Sequence, residues 1–223
     1  MPAAVLDELT TRLPWIEFVE NYGQSELGAV TVRRGADLPA KRGSVGRALP
    51  GLEVAVVDER GRPLAAGAAG QLVSRGPHLL SAYHGRPEET AALFPFGEGW
   101  LATGDIAVMD EDGFVTLVDR AKDMIISGAE NIYPVEIENV LHQHPAVAEC
   151  AVIGRDDARL GEVPVAYVVL RSGVDARDED LVGHCLQSLP RHKRPRDVRF
   201  VDALPKTAVG KVQKNVLRDQ DKR

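Results

Sequence analysis

The sequence predicts an α+β chain in two parts, a β subdomain built as a distorted barrel over residues 1–119 and a small α+β domain over residues 123–223, joined by a hinge at 120–122. Two observations carry this. From Glu17 to Asp119 short β-rich runs alternate with turn signals, and from Asp123 onward the pattern becomes strand, helix, strand, strand, helix, strand. A third bounds it: with 44% hydrophobic and 27% charged residues, the 223-residue chain has the composition of a folded globular protein rather than a disordered one.

Ala3 to Leu13 repeats leucine at positions 6, 9 and 13, which predicts one face of a short helix that Pro14 ends. Glu17 to Val19 reads as strand, as do Glu53 to Val57, Gln71 to Ser74, Ile106 to Met109 and Phe114 to Val118. Asp58-Glu-Arg-Gly and Asp110-Glu-Asp-Gly supply turns between them. A helix over Pro87 to Leu93 interrupts the subdomain, with Pro87 in a favoured first-turn position. Beyond the hinge, Asp123 to Ser127 is β-branched and apolar, and Pro134 to Gln143 sets Val135, Val140 and Leu141 beside acidic residues as an amphipathic helix. Ala148 to Ile153 and Pro164 to Leu170 follow as strands, Asp178 to Leu189 as a helix and Asp197 to Val201 as a last strand.

The net charge of -6 is unevenly spread. Met1 to Asp119 carries 10 basic and 17 acidic residues, whereas Arg191 to Arg223 carries 11 basic and 4 acidic ones. A local anionic partner fits the basic stretch, and a nucleotide or cofactor phosphate suffices for it. Extended nucleic acid needs a long basic track, which an acidic chain with 5% aromatics does not offer. No apolar run approaches a membrane span, and no basic segment followed by an apolar one opens the chain. Cys150 and Cys185 lie in neither a C-x-x-C pair nor a zinc spacing, so a reducing cytoplasm is the expected compartment.

Four blocks carry chemistry. In Asn21-Tyr-Gly-Gln-Ser-Glu26 a tyrosine can stack on a base, a glycine admits a phosphate close to the backbone, a serine hydroxyl can donate to phosphate oxygen and a carboxylate can hold Mg2+. Taken alone it is equally a polar turn. In Gly99-Trp-Leu-Ala-Thr-Gly-Asp105 the carboxylate can accept both hydroxyls of a ribose, or merely close a turn. The third, Val118 to Glu138, spans the hinge and combines Arg120, Lys122 and a glycine-containing loop before a helix. By itself it is a strand-turn-helix with a solvated start. The fourth, Leu204 to Lys214, puts Lys211 behind Gly210 in a loop. A mobile ammonium there can neutralise charge on a transferring group, although composition alone makes it an exposed basic tail. It is not a P-loop, because the required glycine-lysine spacing is absent.

In this order, with Gly70-Gln-Leu-Val-Ser-Arg-Gly76 between them, the blocks resemble the adenylate-forming enzymes: acyl-CoA synthetases, luciferases and peptide-synthetase adenylation domains. The resemblance runs from Glu17 to Arg218 and is strongest to the acyl-CoA synthetase branch, through Met124 to Glu138 and Gly210 to Arg218. It implies that family's fold and its reaction. A carboxylic acid and Mg-ATP give an acyl-adenylate and pyrophosphate, and the acyl group then passes to coenzyme A. It implies Tyr22 as the adenine-stacking residue, with Asn21, Gly23 and Gln24 beside it. Ser25 is then the phosphate-contacting hydroxyl, where the family more often has threonine, and Glu26 the Mg2+ carboxylate. Asp105 and Arg120 resemble the pair holding the ribose of ATP or AMP, and Lys122 the hinge about which the small domain turns. Gly128, Ala129 and Glu130 resemble the lining of the pantetheine tunnel, and Lys211 the lysine required for adenylation. The basic run Arg191 to Arg196 is then open to two readings, a contact for coenzyme A phosphates or a solvated loop.

One departure is large. No Ser/Thr/Gly-rich phosphate loop precedes Tyr22, before which only 21 residues stand. The expectation is therefore the C-terminal part of such an enzyme, inactive until the N-terminal domain is supplied. The alternative is a catalytically silent module, derived from such an enzyme, that binds or self-associates. The acid remains open among fatty, aromatic and short dicarboxylic classes, and homo-oligomerisation is open too.

Overall fold

The computed structural model describes residues 3–37, 40–41, 43–97 and 99–222. The leucine-6 side chain of the expected helix face and the terminal Arg223 of the basic stretch lie outside what is described. The chain divides into two compact units, Met1–Ala121 and Lys122–Arg223.

The first unit begins with helix α1 (Ala3–Arg12). Strands β1 (Glu20–Gln24), β2 (Gly28–Arg33) and β3 (Arg47–Ala48) form an antiparallel three-stranded sheet. Strands β4 (Glu53–Val57), β5 (Ala69–Arg75), β6 (Leu101–Met109) and β7 (Val115–Arg120) form an antiparallel meander in sequence order. Helix α2 (Pro87–Ala92) sits between β5 and β6, with Glu88 and Glu89 in its first turn where the helix dipole favours them. Leu72, Ala107, Val115 and Val56 bury the inner face of the meander, and Leu27, Val30 and Leu101 form a second cluster; Tyr22 packs against both. The two sheets meet where Gly46 bridges Val115, with the Val45 amide donating to the Val115 carbonyl and Ser44 Oγ to the same oxygen. The expected distorted barrel is therefore two open sheets joined at one edge, and no closed barrel forms among the described residues.

The site block departs from its expected place. Glu17 to Val19 forms no strand; the strand is Glu20–Gln24, so Asn21 to Gln24 lie within β1 rather than in a loop after it. Asp105 likewise lies inside β6 rather than on a turn leading into it.

The second unit is one five-stranded sheet with helices on both faces. The hairpin β8 (Ile125–Ser127) and β9 (Glu130–Ile132) leads into α3 (Pro134–Leu141), and β10 (Val147–Asp157) pairs antiparallel with β11 (Gly161–Leu170). After α4 (Asp178–Ser188), β12 (Asp197–Phe200) adds parallel to β11, and α5 (Lys214–Asp221) ends the chain. Pro134 starts α3, and Ile137, Val140 and Leu141 give it one buried stripe. Leu181 and Cys185, one turn apart, do the same for α4, whose first turn carries Asp178, Glu179 and Asp180. Val163 to Val168 of β11 are buried without alternation because both faces are covered. Ile137, Leu141 and Leu181 pack on Val152, Ala166 and Val168, while Leu204 and Leu217 pack on Ile153, Val165 and Tyr167. Burying an aliphatic side chain of this kind contributes about 1.5–3 kcal/mol. Among the described residues no helix is long and apolar enough to cross a membrane.

Candidate functional site

Three separated stretches of the first unit converge on one carboxylate. Asp105 is buried, at 5% exposure, and pairs across the meander with Arg120 in direct register. Arg120 Nε donates to Asp105 Oδ1 at 2.8 Å from a half-exposed side chain. On the other oxygen, Tyr22 donates its hydroxyl to Asp105 Oδ2 at 2.5 Å, and Gln24 Nε2 donates to it at 3.2 Å. Gln24 also donates to the Thr103 carbonyl at 2.7 Å, which ties β1 to β6. Thr103 Oγ1 accepts from the Asp105 amide and donates to the Leu72 carbonyl, so the backbone under the carboxylate is held as well. Burial, and secondarily the bond to Asp105, raises the Tyr22 phenol above its ordinary range. Tyr22 therefore stays protonated as a donor at neutral pH.

The rest of the first block surrounds this cluster. Asn21, Tyr22, Gly23, Gln24, Ser25, Gly28, Ala29 and Val45 line an open hollow of about 560 Å³. Gly23 sits at a bulge in the β1–β2 pairing, and a Cβ there would lie 1.9 Å from the Gly28 carbonyl oxygen. Only glycine admits that approach. Ser25 is exposed in the turn after β1. Glu26 accepts a hydrogen bond from the Tyr83 hydroxyl at 2.7 Å, which holds its carboxyl below the usual carboxylate range. Tyr83 and Thr103 are supporting residues that spacing did not single out. Tyr83 stands 57 positions from Glu26, with no local pattern to flag it.

In the second unit Lys122 is exposed in a 3-10 turn, Ala121–Asp123. Gly128 and Ala129 form the two-residue turn between β8 and β9, and Glu130 opens β9; all three are exposed. Lys211 is exposed on a tight loop closed by the Lys206–Val212 bridge. The Thr207 amide donates to the Lys211 carbonyl at 2.8 Å, and the Lys211 amide to Thr207 Oγ1 at 3.1 Å. Gly210, at φ 81°, makes the turn immediately before the lysine. In the basic run, Lys193 is committed to Glu136 at 2.7 Å, whereas burial and the neighbouring Arg196 and Arg191 charges lower the Arg194 pKa.

The family profile described as AMP-binding enzyme matches residues 1–84, and that described as AMP-binding enzyme C-terminal domain matches residues 136–211. The 3-[(3aS,4S,7aS)-7a-methyl-1,5-dioxo-octahydro-1H-inden-4-yl]propanoyl:CoA ligase of Rhodococcus jostii is 42% identical over all of this chain, which spans 41% of that protein. The ATP-bound structure of MatB from Rhodopseudomonas palustris superposes with a TM-score of 0.84 at 38% identity, over 92% of this chain and 40% of that one. The o-succinylbenzoate CoA synthetase MenE of Bacillus subtilis, in complex with its acyl-adenylate intermediate OSB-AMP, gives 0.84 at 34% identity over 100% of this chain and 44% of its own. The chain thus spans about two fifths of the length of the relatives it matches. With AMP-binding enzyme profiles over both units and CoA ligases among its relatives, this chain belongs to the adenylate-forming, AMP-binding superfamily.

Proposed function

We propose that the chain is the C-terminal part of an ATP-dependent acyl-CoA synthetase, completed by an N-terminal domain. Residues 1–119 are the last β subdomain of the large AMP-binding domain, 120–122 the hinge, and 123–223 the small domain. The observation that carries this reading is the buried Asp105 carboxylate, oriented by Tyr22, Gln24 and Arg120. A fixed carboxylate is a bidentate acceptor for the two hydroxyls of the ribose of ATP or AMP. The half-buried Tyr22 ring offers a face for adenine, and the hollow along Asn21 to Ser25 offers backbone and hydroxyl donors for phosphate.

Glu26 suits Mg2+ as a hard oxygen ligand held ionised by Tyr83. Among the described residues no group of three or more His, Cys, Asp or Glu is poised to hold a metal. A Mg2+ ion held by Glu26 would supply positive charge against the phosphates of ATP. In the first half-reaction a carboxylate oxygen of the acid attacks the α-phosphorus, and the bond to the leaving pyrophosphate breaks. The Lys211 ammonium, delivered by rotation about Lys122, offsets the negative charge of both reactants at that point. In the second, the coenzyme A thiol attacks the acyl carbon and AMP leaves. The turn at Gly128, Ala129 and Glu130 lines the pantetheine path, and Arg194 and Arg196 meet coenzyme A phosphates.

The test is Lys211→Ala in the parent enzyme. Acid-dependent pyrophosphate exchange is expected to fall by about a hundredfold or more, while transfer from preformed acyl-adenylate to coenzyme A is retained. Equal loss in both half-reactions refutes the assignment of Lys211.

A further inference from the structure

The C-terminal helix α5 begins three residues after Lys211 and returns to the hinge. Its Arg218 Nη2 donates to Asp123 Oδ1 at 2.7 Å and lies 3.4 Å from the Lys122 carbonyl oxygen. Asp123 is buried at 8% exposure, and the Arg218 side chain is largely covered. The helix is itself anchored. Leu217 is buried against Leu204 and Ile153, Lys214 pairs with Glu138 at 2.8 Å, and Asp221 accepts from Tyr167 and pairs with Arg199. Glu138 in turn accepts from the Val152 amide, which carries the anchor into the sheet.

A peptide unit is planar, so the Lys122 carbonyl and the Asp123 amide move as one plate. One guanidinium therefore grips that plate by its oxygen and by the following side chain, and the grip leads through α5 to the core of the second unit. We propose that Arg218 is a positioning residue. It fixes the Lys122–Asp123 peptide plane to the small domain and confines any swivel to the backbone torsions of Lys122 and the residues before it. Because the same helix forms the base of the 205–213 loop, Lys211 and the pivot are held in one rigid frame, with Gln213 donating to the Pro205 carbonyl at its root. Without Arg218 the bend spreads into Asp123 and Met124, and the angle through which Lys211 is carried loses its definition. This inference rests on the reading of Lys122 as the hinge.

Amide hydrogen exchange on the 223-residue chain tests it. Arg218→Ala is expected to speed exchange across residues 122–125 by about tenfold, the scale of losing one charge-assisted hydrogen bond, with the Val152 and Val168 amides unchanged. Arg218→Lys, which keeps one donor and the charge, restores part of the protection. Asp123→Asn, which leaves the helix intact, accelerates the same segment. Unchanged exchange at 122–125 overturns the clamp, and so does a uniform rise over the whole second unit, which marks a merely structural residue. The readout needs no catalysis, so it can fail while the Lys211→Ala half-reactions stand, and the reverse.

Discussion

Tyr22→Phe removes the hydroxyl's donation to the Asp105 carboxylate and the long 3.4 Å bond it accepts from Gln24 Nε2, while the ring and its packing remain. The hydroxyl donates to an ionised acceptor at 2.5 Å, and Asp105 is buried. A bond of that kind contributes about 1.5–3 kcal/mol. Gln24 stays on the same oxygen at 3.2 Å and Arg120 on the other at 2.8 Å, so the carboxylate is not orphaned and the lower end of the range applies. The expected cost is about 1.5 kcal/mol, or about 5 °C in the melting of a unit of this size. Both tryptophans, Trp15 and Trp100, lie in the first unit, so urea unfolding followed by tryptophan fluorescence reads that unit alone.

The same variant carries a pH signature. Burial and then the Asp105 bond raise the Tyr22 pKa above the ordinary 10.0. The unfolded chain releases this proton near pH 10 while the folded chain keeps it. The stabilisation is complete below that pH and is lost as pH rises above it, by at most about 1.4 kcal/mol per pH unit. Tyr22→Phe should flatten this alkaline slope, leaving the parts due to Tyr83, whose pKa is raised by its bond to Glu26, and to Lys41, whose pKa is raised by its bonds to Asp110 and Asp112. A cost below about 0.5 kcal/mol, together with an unchanged slope above pH 10, would refute the cluster as described.

Gly23→Ala drives a Cβ to 1.9 Å from the Gly28 carbonyl oxygen and must open the β1–β2 pairing; a loss of about 3 kcal/mol or more is expected in the same fluorescence assay, and wild-type stability would contradict the bulge geometry. Cys150 and Cys185 lie wholly in the second unit, and burial pushes their thiols up to about 12 and about 11. At pH 8 a thiol-specific disulfide reagent should label neither in the native chain and both on unfolding; rapid labelling of the folded chain would place a thiol at the surface. Isothermal calorimetry of AMP with the parent enzyme should register a loss of at least tenfold in affinity for Asp105→Ala, whereas an unchanged affinity would remove the ribose role.

Legibility in the sequence followed the source of each element's stability. The meander β4 to β7 and the elements α3, β10, β11, α4 and β12 bury apolar side chains in short runs or stripes bounded by turn signals, and their existence was readable, although β6 begins at Leu101 rather than at the expected Ile106. The strand β1 was not. Its sequence Glu-Asn-Tyr-Gly-Gln has no apolar alternation, because the pairing with β2 makes it a strand and its side chains are spent on the site. Helix α5 hid behind its charge. Only Leu217 is fully buried; Lys214, which read as the end of an exposed basic tail, is ion-paired to Glu138, and Arg218 is ion-paired to Asp123. For the candidate site, composition could suggest what Tyr22, Asp105 and Arg120 are able to bind. Their convergence is a matter of sheet register, which local pattern does not encode. The buried support from Thr103 and the Tyr83 bond to Glu26 escaped notice for the same reason.

The edge at which the two sheets of the first unit join has a kinetic meaning. Ser44 reaches the Val115 carbonyl across 71 positions, and Tyr22 reaches Asp105 across 83. Contacts that distant require closing a long loop before they return any energy, so they form late. As the polypeptide is made from its N-terminus, the block from Asn21 to Glu26 emerges before β6 and β7 and then waits, its polar strand β1 paired with β2. It acquires its carboxylate neighbour only when β6 has been synthesised. Assembly of this seat thus waits on synthesis of β6, and truncation anywhere before Asp105 leaves the Asn21–Glu26 block without its carboxylate.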